Sequence, residues 1–264
     1  MSMFMRSIKR FFISFAIALA VVTLGFIFWL RDHYVPPILT YHNISYEKGA
    51  FYLNNVRPES FAWQMKFLKK HGYFVINFYD FVKGLKKGRA FARNTVVIQF
   101  DDGYADNYTD AFPVLKRYRF PATVFIVSDK VGTPGFLTWD QVKEMDTHNF
   151  TAGAHTRHHV YLPDVPLDVA RDEIVGSKKM IEEHVGHPID YFAYPSGGFN
   201  EEIEGIVEEA GFKAAVTTNR GEDRLNRDLF ALKRIRIKDS DNALVLYAKL
   251  SGYYNLFRKN KDGE

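Results

Sequence analysis

Val96-Val97-Ile98-Gln99-Phe100-Asp101-Asp102-Gly103 places an apolar, largely β-branched run directly before two adjacent carboxylates and a glycine. Val, Ile and Phe suit the pleated surface of a strand, and Gly103 permits a sharp turn after it. Two acids at the C-terminal end of an apolar strand sit where α/β folds gather their chemistry. Adjacent side chains diverge at a strand end, so one carboxylate can hold a metal while its neighbour handles protons. Asp-Asp-Gly alone also describes an ordinary solvated turn, so its reading depends on the rest of the chain.

A partner motif follows at Phe150-Thr-Ala-Gly-Ala-His155-Thr156-Arg157-His158-His159. Zinc-type centres use neutral imidazoles and a carboxylate, with one position open to water where the site is catalytic. His155 and His159 are four residues apart, so a helical turn or tight loop can aim both at one ion. With Asp102 they make a two-histidine, one-carboxylate metal face; a polar loop is the plainer alternative. His158 is the spare imidazole, expected to face solvent or a neighbouring carboxylate.

Around these motifs the chain alternates. Pro36-Pro37 ends any preceding helix, and Ile38 to His42 reads as a short first strand. Pro58 to Gly72 predicts a helix capped by Ser60, with Phe61, Met65 and Leu68 on one face. Phe74 to Ile76 predicts a strand, Tyr79 to Leu85 a helix, and Tyr108 to Tyr118 a helix with Phe112, Leu115 and Tyr118 inward. Strands follow at 121–127, 150–154, 191–194, 214–217 and 232–237. Helices follow at 139–145, capped by Thr138, and at 167–185 and 201–210. Strand and helix alternating at this spacing imply a parallel α/β sheet or barrel.

Residues 11–30, FFISFAIALAVVTLGFIFWL, carry no charge and match the length that crosses a bilayer as a helix. Arg6, Lys9 and Arg10 precede them, which favours a cytoplasmic N-terminus and an exported body. A cleaved signal peptide is the alternative, but its apolar core is usually shorter. The expected organisation is therefore a basic segment 1–10, a transmembrane signal anchor 11–30, a linker 31–36, a catalytic domain 37–252 and a polar, Lys-rich tail 253–264. The expected location is the cytoplasmic membrane, with one pass and the domain outside.

The 264 residues contain no cysteine, which excludes disulfides, thiolate ligands and cysteine nucleophiles; any metal must be held by His and carboxylates. The net charge of +4 is mild. No Lys/Arg stripe interleaved with aromatics stands out, so nucleic acid is not an expected partner.

Gln99-Phe-Asp-Asp-Gly103 resembles the T-F-D-D-G motif of the polysaccharide deacetylases, carbohydrate esterase family 4 with its NodB-homology domain. His155-Thr-Arg-His-His159 matches the family's H-[ST]-x-x-H motif, and Phe192-Ala-Tyr-Pro195-Ser-Gly197 is a looser match to R-x-P-Y. The resemblance implies an irregular (β/α) barrel of about seven parallel strands. It implies one divalent ion on Asp102, His155 and His159, zinc first, with Co2+, Ni2+ or Fe2+ as alternatives. It assigns Asp101 as the base and the Ser196 backbone N–H as the oxyanion donor. Many members take their acid from a C-terminal histidine, yet the last histidine here is His187. His42 in Tyr41-His42 is the expected substitute, as in the permuted poly-N-acetylglucosamine deacetylase branch; a structural imidazole is its alternative. Ala193 stands where many members have the arginine that orients the base. Arg234 or Arg236 can supply that charge, unless both lie on the surface. Tyr104, Trp139, Tyr194 and Arg234 are candidate substrate contacts, with Phe136 a further aromatic.

The implied activity is metal-dependent removal of N-acetyl groups from N-acetylglucosamine-type residues of a cell-envelope polysaccharide. An O-acetyl esterase and a non-catalytic glycan-binding protein on the same fold are the competing readings.

Overall fold

The computed structural model describes residues 2–46, 54–218, 223 and 225–257, and the chain divides into two compact units, 1–35 and 36–264. The first is the helix α1 (Ser2–Asp32). Its stretch Arg10–Arg31 contains 18 consecutive residues of mean hydropathy 2.6 and is long and apolar enough to cross a membrane.

The second unit is built on strands β1 (Ile38–Tyr41), β2 (Phe74–Val75), β3 (Thr95–Phe100), β4 (Ala122–Ile126), β5 (Phe150–Ala154), β6 (Tyr191–Ala193), β7 (Ala214–Thr217), β8 (Leu232–Lys233) and β9 (Ile235–Arg236). Its helices are α2 (Pro58–Lys70), α3 (Phe78–Lys86), α4 (Phe112–Tyr118), α5 (Trp139–Asp146), α6 (Leu167–Val185), α7 (Glu201–Glu209) and α8 (Ala243–Leu250). The strands are ordered β8-β7-β6-β5-β4-β3-β1-β9, with β2 attached to β3. Every pairing is parallel. β8 and β9 are one continuous segment on either side of Arg234. Val216 pairs with Leu232 on one flank and Leu39 with Ile235 on the other, so the segment closes the sheet into an irregular barrel.

The two-residue period of each strand sorts its side chains. Val96, Ile98 and Phe100 join the large cluster beneath the helices, while Val97 joins Ile38, Phe125, Tyr191, Ala214 and Val216 in a second, smaller cluster. Gly153 belongs to this crowded layer: an added Cβ would fall 2.5 Å from the Phe125 ring and 3.2 Å from the Tyr191 carbonyl.

Three local expectations change. The first helix of the barrel begins at Pro58, and Arg57 caps it without a side-chain bond, so Ser60 is not the cap. Proline suits that first position because its missing N–H would be unpaired there anyway. The segment starting at Asn107 opens as a π-helical turn to Ala111 before α4. Pro113 lacks the N–H that would bond the Thr109 carbonyl, so the regular i→i−4 ladder cannot run through it. Tyr118 is half-buried rather than inward-facing, whereas Phe112 and Leu115 are buried. Thr138 does cap α5, in a reciprocal capping box with Gln141. Most of the expected tail, residues 258–264, lies outside the described residues.

Candidate active site

Parallel closure brings the C-terminal ends of all these strands to one rim, and the candidate residues meet there. Asp101 and Asp102 follow β3, His42 follows β1, His155 follows β5, Ser196 follows β6, and Arg234 sits between β8 and β9. They line one cleft of about 160 Å3, together with His159, Tyr104, Tyr194 and Arg236. Asp102, Thr156, His159 and Ser196 all hold positive φ, at 71°, 62°, 64° and 54°. Such left-handed backbone costs non-glycine residues energy and persists where the surroundings impose it, commonly at functional sites.

Asp102 Oδ1 lies 3.5 Å from His155 Nε2 and 3.2 Å from His159 Nε2, and the three ligand atoms lie within 4.8 Å of one another. Tetrahedral ligands at zinc distances stand about 3.4 Å apart, so the cluster fits one divalent ion. The tautomer fits as well. His155 Nδ1 is 2.6 Å from the Ala193 carbonyl oxygen, which makes Nδ1 the protonated nitrogen and leaves the Nε2 lone pair for a metal. Ala193 thus serves through its backbone at the position where an arginine was missing. Burial pushes the Asp102 carboxyl up, but bonds to His155 and His159 prevail and hold it well below the usual carboxylate range.

Arg234 settles the question of the missing charge. Its Nη1 and Nη2 donate to Asp101 Oδ1 and Oδ2 at 2.6 and 2.7 Å, and both side chains are buried. A two-point guanidinium fork fixes a carboxylate in orientation as well as charge. Burial again raises the Asp101 carboxyl; Arg234, His155 and His42 outweigh it and keep it ionised. Arg236 is half-buried in the cleft wall.

His42 Nε2 stands 3.9 Å from Asp101 Oδ2, close enough to feel its charge and too far to share a hydrogen bond. Burial lowers the His42 pKa against the pull of Asp101 and Asp102, with Arg234 and Arg236 adding to the lowering. The backbone at His42 is pinned by Asn107, whose Nδ2 donates to the His42 carbonyl at 2.8 Å and to Asp106 Oδ1 at 3.0 Å. These two supporting residues carry no motif, although they closely follow the acid pair in sequence.

Asp106 has a measurable signature. Burial pushes its carboxyl up to about 6, against hydrogen bonds from the Ile44 backbone and Asn43. A raised folded-state pKa means the native protein binds this proton more tightly than the unfolded chain, whose Asp titrates near 3.9. The stability from protonated Asp106 is therefore complete below about pH 4 and lost as pH rises through about 6. Asp106→Asn removes that loss. Its stability relative to the parent should become more favourable by about 1–2 kcal/mol between pH 4 and pH 7. Chemical denaturation at the two pH values measures this; a constant difference contradicts it.

The remaining candidates separate. His158 turns from the cluster and bonds Glu173 at 2.6 Å, with Asp129 3.2 Å from its other nitrogen. Tyr104 lines the cleft and stacks on Phe136 at 5.2 Å. Tyr194 borders the cleft, but its side chain is fully buried and stacks on Phe199, so it packs rather than presents a face to a sugar. Trp139 is outside the cleft altogether, stacked on His184 at 3.9 Å as the first residue of α5. Its expected role as a sugar platform does not match this placement. Lys130, Asn54 and Thr218 join the cleft wall from loops that carry no sequence signal.

Comparison with known proteins agrees with this geometry. The family model described as polysaccharide deacetylase matches residues 88–215, a block holding the acid pair and the histidines but neither His42 nor Arg234. The Bacillus subtilis (strain 168) protein YxkH, whose name assigns it to the polysaccharide deacetylases, is 33% identical over 201 residues, covering 76% of this chain and 71% of its own. A Staphylococcus aureus (strain COL) poly-beta-1,6-N-acetyl-D-glucosamine N-deacetylase is 25% identical over 230 residues, covering 76% and 77%. Among solved structures, the Streptococcus pyogenes deacetylase PplD in complex with acetate superposes with a TM-score of 0.75 at 30% identity, covering 81% of this chain and 97% of that one. Sequence and barrel lead to the same place, and this chain is an enzyme of the polysaccharide deacetylase family.

Proposed function

We propose that the enzyme hydrolyses the N-acetyl groups of a glucosamine-containing cell-envelope polysaccharide with the help of one divalent ion. The observation that carries this reading is the placement, in one cleft, of the Asp102-His155-His159 cluster beside a carboxylate clamped by Arg234. A divalent ion held there supplies Lewis acidity and a water that ionises near neutral pH. Zinc suits the two imidazoles and one carboxylate; Co2+, Ni2+ and Fe2+ suit them too.

The protein's own groups take the remaining roles. Asp101 accepts a proton from the attacking water, and the Arg234 fork holds its oxygens in place while it does so. The Ser196 N–H faces the developing oxyanion from the turn Pro195–Gly197, where the Ser196 carbonyl is already engaged by Thr218 Oγ1 at 3.2 Å. His42 donates the proton that the departing amine requires. A lowered pKa makes its imidazolium the stronger acid once formed. Amide cleavage needs such an acid more than ester cleavage does, because an amine is the poorer leaving group. The N-deacetylase named among the relatives supports the same preference.

Acetate release from an N-acetylated β-1,6-glucosamine oligomer and from an O-acetylated oligosaccharide of equal length tests the proposal. The expected result is faster release from the amide, loss with a chelator, and recovery on adding Zn2+ or Co2+. Release confined to the ester, or unaffected by chelation, contradicts it.

The stretch Arg10–Arg31 serves in this reading as an uncleaved anchor in the cytoplasmic membrane, with the barrel outside. Its length, its hydropathy and the preceding Arg6, Lys9 and Arg10 support it. N-terminal sequencing of the membrane-bound enzyme should begin at residue 1 or 2. A mature chain beginning near Asp32, free in the medium, contradicts the anchor.

A further inference from the structure

The end of the barrel opposite the cleft is divided by charge. There, each helix ends and a connection leads into the next strand. The α2–β2, α3–β3 and α4–β4 connections, with the last turn of each preceding helix, carry no carboxylate and many exposed cations, among them Lys69, Lys70, Lys87, Arg89, Arg93 and Arg119. None of these six forms an ion pair with a described residue.

Helix dipoles do not account for the pattern. Cations are favoured near helix C-termini, yet α5, α6 and α7 end on the same rim with Asp146, Glu182, Glu183, Glu208 and Glu209. The basic half is one continuous sector. Phe74 N donates to the Asn94 carbonyl at 2.8 Å, tying the first two connections together, and β4 lies beside β3. Phe74 itself is 61% exposed on this sector. Sequence scanning for a basic stripe misses it, because the cations are scattered over some fifty residues and gathered only by the fold.

The chain also enters the barrel at this sector. Pro36 and Pro37 precede β1, and the Pro37 carbonyl accepts from Val97 N at 3.0 Å. Five chain steps, with four residues between, lead from Arg31 at the end of the apolar stretch to Pro36. Fully extended they span at most about 18 Å.

We propose that this basic sector docks on the anionic phospholipid headgroups of the membrane that holds the chain, leaving the cleft on the side away from the bilayer. Lysines and arginines near an anionic lipid surface are attracted within about a Debye length, and an exposed aromatic suits the interface. The tether argument rests on the anchor reading; the charge division stands apart from it.

A cysteine-free chain allows a single-thiol test. Ala90→Cys places a thiol in the exposed α3–β3 connection, and Glu201→Cys places one at the exposed start of α7, at the cleft end. Each full-length variant is put into nanodiscs of phosphatidylcholine alone or with about one-third phosphatidylglycerol, and maleimide labelling is timed. The Ala90→Cys thiol should react at least about fivefold more slowly in the anionic discs. That difference should vanish near 1 M salt, where the Debye length is about 3 Å. Adding Lys87→Gln, Arg89→Gln and Arg93→Gln should abolish it too, without altering turnover of a soluble oligomer. The Glu201→Cys thiol should react equally in both discs.

Equal labelling of Ala90→Cys in the two discs overturns the proposal. So does protection by a soluble anionic glycan or RNA with none from the anionic discs. Failure of the anchor shows separately, as protein that stays with neither disc. Flotation with vesicles of the same two compositions then decides: binding to the anionic vesicles alone supports the sector's role, and binding to neither overturns it.

Discussion

His155→Ala should emerge from purification without its equivalent of divalent metal and with turnover reduced by more than about 100-fold. Losing a group that merely supports a ligand typically costs 10–100-fold in metal affinity or activity. Losing the ligand should cost more, because His155 is also the buried member of the pair: it is 2% exposed, and its second nitrogen is already committed to Ala193. The control lies three residues away. His158→Ala breaks bonds to Glu173 and Asp129 and touches no member of the cluster, so it should retain metal and most activity. Metal content by elemental analysis, with a thermal melt of each variant, separates ligand loss from unfolding. A folded His155→Ala protein holding a full equivalent of metal and turning over normally shows the ligand set to be wrong. Ligands must also be unprotonated to bind, so metal should leave the parent enzyme as acidity protonates its histidines.

Local pattern made much of this molecule legible. β3 reads as a strand because five of its six residues are β-branched or aromatic, and it delivers Asp101 and Asp102 to the rim as their place in the sequence requires. The Asp102-His155-His159 cluster was legible because two motifs of fitting chemistry follow strands that pair through β4. The Asp101–Arg234 pair was harder. It joins residues 133 positions apart, through a strand split into two short pieces whose only business is to close the barrel. Nothing local distinguishes Arg234 from Arg236, two residues apart; tertiary pairing decides which one is wholly buried against the carboxylate. Trp139 and Tyr194 are taken up by packing for a similar reason, while Tyr104 does line the cleft. Trp139 opens a helix beside a loop and looks available to a sugar, but His184 on α6 offers its ring a stacking partner. The cap at Arg57 and the π turn before α4 were set by single prolines, whose missing N–H outweighed serine capping and helical periodicity.

His42→Ala should fold, melt close to the parent and keep its metal, yet deacetylate an N-acetylated oligomer about 10²–10⁴-fold more slowly, the range for losing a general acid. The side chain touches neither the metal cluster nor the Asp101–Arg234 fork at hydrogen-bond distance; 3.9 Å separates it from Asp101. Removing it leaves the ligands and the base where they were. What disappears is the proton for the departing amine. A substrate whose leaving group needs no proton should then be spared, so p-nitrophenyl acetate should be cleaved by the variant at nearly the parental rate. That contrast distinguishes an acid from a residue that only shapes the cleft, whose loss would slow both substrates alike. His187 offers no substitute. It pairs with Asp146 at 2.7 Å, on a connection that leads into the start of β6 at the opposite end of the barrel. Near-normal amide turnover in folded His42→Ala protein would therefore remove every histidine outside the metal cluster that borders the cleft, and leave Tyr104 as the next hydroxyl to test.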